Sequence, residues 1–472
     1  MKMMVKPFIF VASGEPTCIT VLSFLRRLPK RRKKDKEEAK MAIREHSLDA
    51  QGRTVPTAWY RTITREQWNV LVAAQLGYAL DAMDFVLYLM AIKSLMEAFG
   101  FNTAEAGLLA SLGLIASAIG GLLFGMVADY FGRTRALMAT ILIYSLATLG
   151  TATAQNFTQL MIWRIAVGIG MGGEWSSGAV LVSETWPAEH RGKAIGIMQS
   201  GWAVGYILAA LATAAILPAF GWRWLFVVGV LPALFVFWVR KNVDEPAVWS
   251  AEREKKATSQ VSSSSNEVNT LAAIFSRALI GRTLKASLLT SLVMFGYWGF
   301  FSWLPGFLAS SGEAGGAGMS IVKSMAWIIP TQIGAFFGYL SFGFISDRIG
   351  RRPAFITFLL AAAILVPIYG QMARSPIALL VTGPLLGFFS HGYFSVFGAM
   401  LSELFDTRVR GTGQGFTYNV GRILGGLAPY TIGALAITRG LGSALALTSA
   451  FFIAGAFMIL TLPETRGRQI ES

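Results

Sequence analysis

Twelve apolar stretches, each long enough to cross a bilayer, restrict what this chain can fold into more than any other feature. They lie near 68–92, 105–128, 135–154, 158–182, 193–216, 222–240, 284–309, 321–345, 354–372, 376–400, 411–436 and 442–462. A helix of roughly 20 apolar residues spans the hydrocarbon core. In lipid the backbone must satisfy its own hydrogen bonds, and the two-residue alternation of a membrane barrel is missing, so these stretches are expected to be helices. Charged residues make up 14% of the chain, well under the roughly 25% of soluble domains. An all-α, multi-pass membrane protein is the expectation.

Basic residues in short connections orient such a chain. The even-numbered connections hold Arg133 and Arg135; Arg191 and Lys193; Arg348, Arg351 and Arg352; and Arg408 and Arg410. The long middle one adds Arg240, Lys241, Arg253, Lys255 and Lys256. The odd-numbered ones hold Lys93, Arg223, Lys323, Arg374 and Arg439. The even connections and both termini are therefore expected on the cytoplasmic face of the cell's inner (plasma) membrane. The formal net charge of +15 is mostly topology and tail, since residues 1–60 hold 13 basic and 6 acidic residues. Nucleic-acid binding is a poor reading of it. "RRLPKRRKKDK" reads as a solvated tail. The apolar run at 5–25 is broken by "SGEPT" and lacks the frame of a signal peptide; a start at or near Met41 is the alternative. Cys18 is the single cysteine, which excludes an intrachain disulfide.

An internal repeat divides the chain. "GMVADYFGRTR" (125–135) and "GFISDRIGRRP" (343–353) share Gly, three residues, Asp, two residues, Gly, Arg. "SETWPAEHRGKAIG" (183–196) aligns with "SELFDTRVRGTGQG" (402–415). Both pairs sit at matching places in two six-span halves. The expected organisation is a basic tail at 1–60, a six-helix bundle at 61–241, a cytoplasmic linker at 242–283, a second bundle at 284–463 and a tail at 464–472. Two parallel repeats place a substrate site near the membrane midplane, between the halves.

These residues resemble the major facilitator superfamily over about 60–467. "GMVADYFGRTR" is similar to its signature loop, "RIAVGIGMGGE" (164–174) to its fourth-span motif, and "PETRG" (463–467) to an ending common in its sugar and organic-acid branches. Within it, the chain resembles the sialic acid:proton symporters and their lactate and aromatic-acid relatives. The supporting stretches include "WYRTITREQWNVLVAAQLGYALDAMDF" (59–85), "GMGGEWSSGAVLVSETWPAEHRGKAIG" (170–196) and "YNVGRILGG" (418–426). "DEPAVW" stands where typical sugar transporters have "PESPRWL", which argues against a plain hexose carrier. The resemblance implies twelve helices in two pseudo-symmetric six-helix bundles that work by alternating access. It also implies an inward gate built on Gly125, Asp129, Gly132, Arg133 and Arg164 in one half and Gly343, Asp347, Gly350 and Arg351 in the other. Gly125 and Gly343 would let helices approach closely. Asp129 and Asp347 would brace the gate against a neighbouring helix N-terminus and nearby arginines.

Two acids interrupt the first span, Asp81 and Asp84 in "ALDAMDFVLYLM". A charged Asp at the bilayer centre costs about 2.5–3.5 kcal/mol, so neither can face lipid. Steps of three and four put Tyr78, Asp81, Asp84 or Phe85, and Tyr88 on one helix face, expected to line the central cavity. An acid there can load and unload a proton near neutral pH. Asp84 is the first choice for the coupling site, with Asp81 and Glu174 of the fourth span as further candidates. A structural acid paired with an internal arginine is the alternative.

Arg422 in the eleventh span stays charged and can hold a carboxylate through two parallel hydrogen bonds. Asn419 and Tyr418 lie three and four residues back on the same side. Arg422 could instead pair with a protein acid such as Asp84, and Arg164 and Glu174 could neutralise each other. Tyr297 and Trp298 of the seventh span and Gln332 of the eighth are further expected cavity residues. Trp303 suits a membrane interface, and His391 a structural role. "GTGQG" (411–415) lacks the lysine of a phosphate loop, and no metal cluster or nucleophile–base set appears, so no cofactor and no enzyme activity are expected. The expected function is proton-coupled symport of a monoanionic carboxylate, sialic acid or a similar sugar or organic acid, by a monomer in the bilayer. A lactate or aromatic-acid symporter, a sugar facilitator and a non-transporting sensor are the alternatives.

Overall fold

The computed structural model describes residues 62–246, 270–406 and 409–465, together with Tyr60 and Trp249. The N-terminal tail with Cys18 and Met41, most of the linker, Arg408 and the end of the PETRG stretch lie outside the described residues. Among the described residues there is no strand.

The first half comprises α1 (Arg65–Phe99), α2 (Thr103–Phe131), α3 (Arg133–Ala152), α4 (Phe157–Thr185), α5 (Ala188–Val228) and α6 (Pro232–Asn242). A short α7 (Thr270–Ile274) precedes the second half. That half runs through α8 (Ile280–Phe301), α9 (Leu304–Ala309), α10 (Ile321–Ile349), α11 (Arg351–Gln371), α12 (Pro376–His391), α13 (Phe394–Glu403), α14 (Arg410–Gly425), α15 (Ala428–Arg439) and α16 (Leu441–Leu460). Polar residues start the helices where the apolar pattern begins. Thr64 and Gln67 form a capping box on α1, and Asn102 and Glu105 another on α2, each satisfying N–H groups that a helix start leaves unpaired. Gly100, at φ 71°, ends α1.

Eleven segments among the described residues are long and apolar enough to cross a membrane, where the sequence suggests twelve. One of them, His190–Asn242, has 53 residues. As a straight helix it would run about 80 Å, far beyond the roughly 30 Å hydrocarbon core. It breaks at Gly221, whose φ of 80° no α-helix holds, three residues after Pro218. The fifth and sixth crossings share this segment, and the count is twelve.

Three crossings expected to be continuous are interrupted within their length. The seventh changes from α8 to α9 at Ser302–Trp303, the tenth from α12 to α13 at Gly392–Tyr393, and the eleventh from α14 to α15 at Gly426–Leu427. Tight three-residue bonds close these turns, among them Trp303 N–H to Phe300 O (3.1 Å) and Leu427 N–H to Leu424 O (3.2 Å). Pro305 and Pro429 follow two of the breaks, where a missing N–H and a bulky ring prevent an unbroken ladder.

The sequence repeat is also a packing repeat. In the first half α2 meets α4, with Gly120 against the Ile169 carbonyl and Gly172 against the Ser117 carbonyl. In the second, α10 meets α12, with Gly334 against the Pro384 carbonyl and Gly387 against the Thr331 carbonyl. A Cβ would overlap backbone at all four, and small residues of this kind let membrane helices touch. The close approach expected at the signature glycines is not made. A Cβ on Gly125 would meet nothing within 4 Å, and one on Gly343 only Val396 Cγ2 at 3.9 Å.

Candidate functional site

Both signature loops build the same device. Gly132 (φ 113°) and Gly350 (φ 103°) precede α3 and α11 in a conformation that disfavours any residue with a Cβ. Neither helix has a side-chain cap of its own. An acid from beyond the last crossing of each half fills the place. Glu245 accepts from the backbone N–H groups of Thr134 (3.1 Å) and Arg135 (3.2 Å). Glu464 accepts from those of Arg351 (2.9 Å) and Arg352 (3.0 Å). Unpaired N–H groups and the helix dipole together favour an anion there. Burial pushes the Glu245 carboxyl above the usual carboxylate range, against the pull of these N–H donors.

Beside each cap lies a short ion-pair chain. Asp129 pairs with Arg133, which reaches Glu184 of α4 at 3.0 Å. Asp347 pairs with Arg351 (2.8 Å), which reaches Glu403 of α13 at 3.6 Å. Asp129 and Asp347 thus do not cap a neighbouring helix, as the sequence suggests. They are about two-thirds exposed and bond to an arginine one turn ahead, while the capping acids are Glu245 and Glu464. None of these four ion pairs joins the two halves.

Hydrogen bonds between the halves gather at the opposite end. Thr103 Oγ1 donates to Gly433 O (2.8 Å), Tyr430 N–H to Ser111 Oγ (3.1 Å), and Lys93 Nζ to Ala309 O (3.4 Å). Gly107 lies against the Pro429 carbonyl and Gly433 against that of Thr103. Nearer the centre, Tyr206 donates to Phe301 O (2.9 Å) and Gln199 to Phe394 O (3.3 Å). Trp303 is buried and donates to Pro429 O at 2.9 Å, tying the seventh crossing's interruption to the eleventh's.

Asp81, Asp84 and Glu174 are fully buried, and their carboxyl oxygens have no hydrogen-bond partner. Asp81 lies within electrostatic reach of both Asp84 and Glu174. Asp84 points into the first bundle, beside Thr148 of α3 but outside bonding geometry. A Cβ on Gly229 would come 3.0 Å from its Oδ1. Glu174 lies against Gly77, where a Cβ would come 2.5 Å from Oε1. Tyr144 donates to the Gly77 carbonyl (3.4 Å) and stands within electrostatic reach of all three acids. Arg422 stands within electrostatic reach of Asp81, and Arg164 within reach of Asp84.

Arg164 sits over the rings of Tyr88 (4.6 Å) and Phe85 (5.5 Å), near Asp84. None of its nitrogens has a hydrogen-bond partner. It does not neutralise Glu174, which lies ten residues on, about 15 Å along α4. Tyr88 donates to the Ala106 carbonyl at 2.7 Å, which fixes it inside the first bundle.

Arg422 of α14 lies beside Trp175 (5.8 Å) and Tyr418 (5.6 Å). No ion pair of the described residues includes it. Trp175 donates to Gln199 at 3.0 Å, so α4, α5 and α14 converge here. Tyr78 and Phe85 pack on Trp202 (5.5 and 6.4 Å), and Trp202 meets Trp298 edge-on at 5.5 Å. Tyr297 meets His391 at 5.0 Å. His391 Nδ1 lies 3.0 Å from Gly387 O, and its Nε2 has no partner. Both amide atoms of buried Gln332 also lack partners. Asn419 donates to Gly415 O (2.9 Å) and turns its oxygen towards Gly121 of α2. Trp175 of the first half and Tyr418 of the second thus flank the Arg422 guanidinium, and a chain of rings from Tyr78 through Trp202 to Trp298 also joins the halves.

Sequence reasoning missed Tyr144, Trp175, Gln199 and Trp202, which no spacing singles out. It also missed Glu184, Glu245, Glu403 and Glu464. Their signal was present: Glu184 and Glu403 coincide in the aligned repeat, and Glu245 and Glu464 each adjoin a proline past a half's last span.

Residues 75–341 match a family model described as Major Facilitator Superfamily, and residues 323–472 one described as Sugar (and other) transporter. A probable 4-methylmuconolactone transporter of Cupriavidus pinatubonensis is 34% identical over 88% of this chain and 95% of its own. The sialic acid transporter NanX of Escherichia coli is 30% identical over 84% of this chain and 94% of its own. The xylose transporter XylE of E. coli, in a partially occluded inward-open conformation, superposes with a TM-score of 0.68 at 18% identity, over 86% of this chain and 100% of that one. At that identity the likeness is one of fold.

Proposed function

Because the chain belongs to the major facilitator superfamily, we propose that it carries a monoanionic carboxylate together with a proton across the inner (plasma) membrane by alternating access. The observation that carries this reading is Arg422. It is buried, permanently charged, outside any ion pair of the described residues, and placed between the halves beside the Trp175 and Tyr418 rings, within electrostatic reach of Asp81. A carboxylate fits its fork through two parallel N–H···O bonds.

Charge balance supplies the coupling. Away from the signature loops, three buried acids, Asp81, Asp84 and Glu174, accompany two buried arginines, Arg164 and Arg422. With both arginines charged, one proton on the acids makes this set neutral. A substrate carboxylate adds a negative charge, and a second proton restores neutrality, which matters because unbalanced charge is costly inside a membrane. Protonation of Asp81 releases Arg422 for the substrate. Asp84 beside Arg164 is a second proton station, and Glu174 beside Tyr144 a third.

The contacts at the end away from the signature loops suit a state closed outside, with both termini cytoplasmic. Residues 61–241 and 284–463 are then the rocking units and 242–283 their linker. Gly132, Arg133, Gly350 and Arg351 hold the loops of each unit, and Asp129 and Asp347 meet the other half in the opposite state. Sialic acid is one substrate that fits, and the relatives' 4-methylmuconolactone and sialic acid share a carboxyl group. The aromatic surroundings of Arg422 favour a second reading, a planar aromatic or conjugated acid.

The test is uptake of labelled sialic acid, lactate and protocatechuate into cells lacking their own carriers, with and without an uncoupler. Asp81→Asn, Asp84→Asn and Arg422→Lys are run beside the parent. Accumulation of one acid, abolished by the uncoupler and by Arg422→Lys, is expected. Asp81→Asn should still exchange substrate but not concentrate it. Uptake that survives Arg422→Lys and the uncoupler sinks the reading.

A further inference from the structure

We propose that the second bundle carries a binding site for an anionic phospholipid between α8 and α16, at the end of the molecule that holds the signature loops. A cavity of about 520 Å³ opens there, walled by Arg277, Gly281, Arg282 and Lys285 on one side and by the stretch from Thr461 to Pro463 on the other. It gathers three cations and no acid. None of the three belongs to an ion pair of the described residues. Lys285 Nζ donates to Thr461 O at 3.5 Å, which leaves most of its donor capacity for a ligand. The acid closest in sequence, Glu464, is held by the N–H groups of Arg351 and Arg352.

Its surroundings decide between a lipid and a soluble anion. Beside the cavity, α8 and α16 each present exposed apolar side chains. Leu284, Leu288, Phe457 and Leu460 are 58%, 49%, 65% and 49% exposed, so they face lipid. A phosphate seated among the cations would have its acyl chains directed along these side chains. A free phosphate would use the cations alone. Basic pockets between membrane helices at this depth suit anionic head groups, and the arginine fork matches phosphate oxygens. The site lies on the outer surface of the bundle, separate from Arg422, and does not depend on which substrate is carried. A lipid here would clamp α8, which bears Tyr297 and Trp298, to α16.

Native mass spectrometry of the full-length protein, purified in detergent and mixed with phosphatidylglycerol or phosphatidylcholine, tests this. The parent should retain phosphatidylglycerol in preference to phosphatidylcholine. Arg277→Gln, Arg282→Gln and Lys285→Gln should each weaken retention roughly fivefold, and the triple variant should lose the preference. Arg439→Gln, at the opposite end, should leave it intact. Should the triple variant fail to elute as a single folded species, Arg282→Gln alone decides. Equal retention of both lipids, or an unchanged preference in the folded variants, overturns the proposal. So does displacement of the lipid by millimolar inorganic phosphate, which would mark a site for soluble anions.

Discussion

Trp175 of the first half and Tyr418 of the second stack face to face, with ring centroids 4.6 Å apart and planes within 3°. The Arg422 guanidinium lies 5.8 and 5.6 Å from the two rings. This contact joins the halves at the charge that would hold the substrate, so rocking of the halves must break it or move it. Trp175→Ala and Tyr418→Ala should each raise the uptake KM about two- to thirtyfold, because a cation–π contact is worth about 0.5–2 kcal/mol. Trp175→Phe should do less. Concentration-dependent uptake measures it, and an unchanged KM in both alanine variants would remove these rings from the site.

The Asp84–Arg164 neighbourhood can be separated by a double-mutant cycle. Asp84→Asn and Arg164→Met should each lower the melting temperature in detergent, since each leaves a buried partner uncompensated. The double variant should recover part of the loss, with a coupling of about 0.5–3 kcal/mol. Strict additivity would show that the two groups do not interact.

Glycine substitutions distinguish packing from gating. Gly172→Ala places a methyl into the Ser117 carbonyl and should cost about 1–3 kcal/mol or more. Gly125→Ala meets nothing within 4 Å and should raise helix stability by about 0.5–1 kcal/mol. Melting curves check both. A well-folded Gly125→Ala that no longer transports would show that Gly125 makes its close contact in the opposite state.

The two helix caps predict a pH effect with a definite sign. Glu245→Ala should cost about 0.5–2 kcal/mol, as the loss of an N-terminal cap does. Glu245→Gln should cost less, because burial already opposes the charged form. A carboxyl raised in the folded state contributes stability that is complete below the ordinary glutamate range and is lost as pH rises through the raised value. Melting of the parent against pH should show that decline, and Glu245→Gln should flatten it. A slope of the opposite sign would mean that the N–H donors of Thr134 and Arg135 outweigh burial.

The chain's own sequence determined that it is a membrane bundle, where its helices lie, and that it repeats. In lipid each helix satisfies its own backbone, so length and hydropathy decide locally. Gly132 and Gly350, the second glycines of "GMVADYFGRTR" and "GFISDRIGRRP", stand at matching places in the repeat, and their backbone at φ above 100° needs glycine whatever surrounds it. What only the tertiary structure decided is which charge meets which. Asp81 and Asp84 are three residues apart, about 60° around the helix. That angle is enough to give them different charged neighbours, Arg422 for Asp81 and Arg164 for Asp84. Local spacing cannot resolve it, because the rotation of α1 is set by its packing against α3, α4 and α5. The caps are longer-range still: Glu245 and Glu464 reach N–H groups 110 to 113 residues earlier in the chain. Only the closing of each six-helix half brings them there.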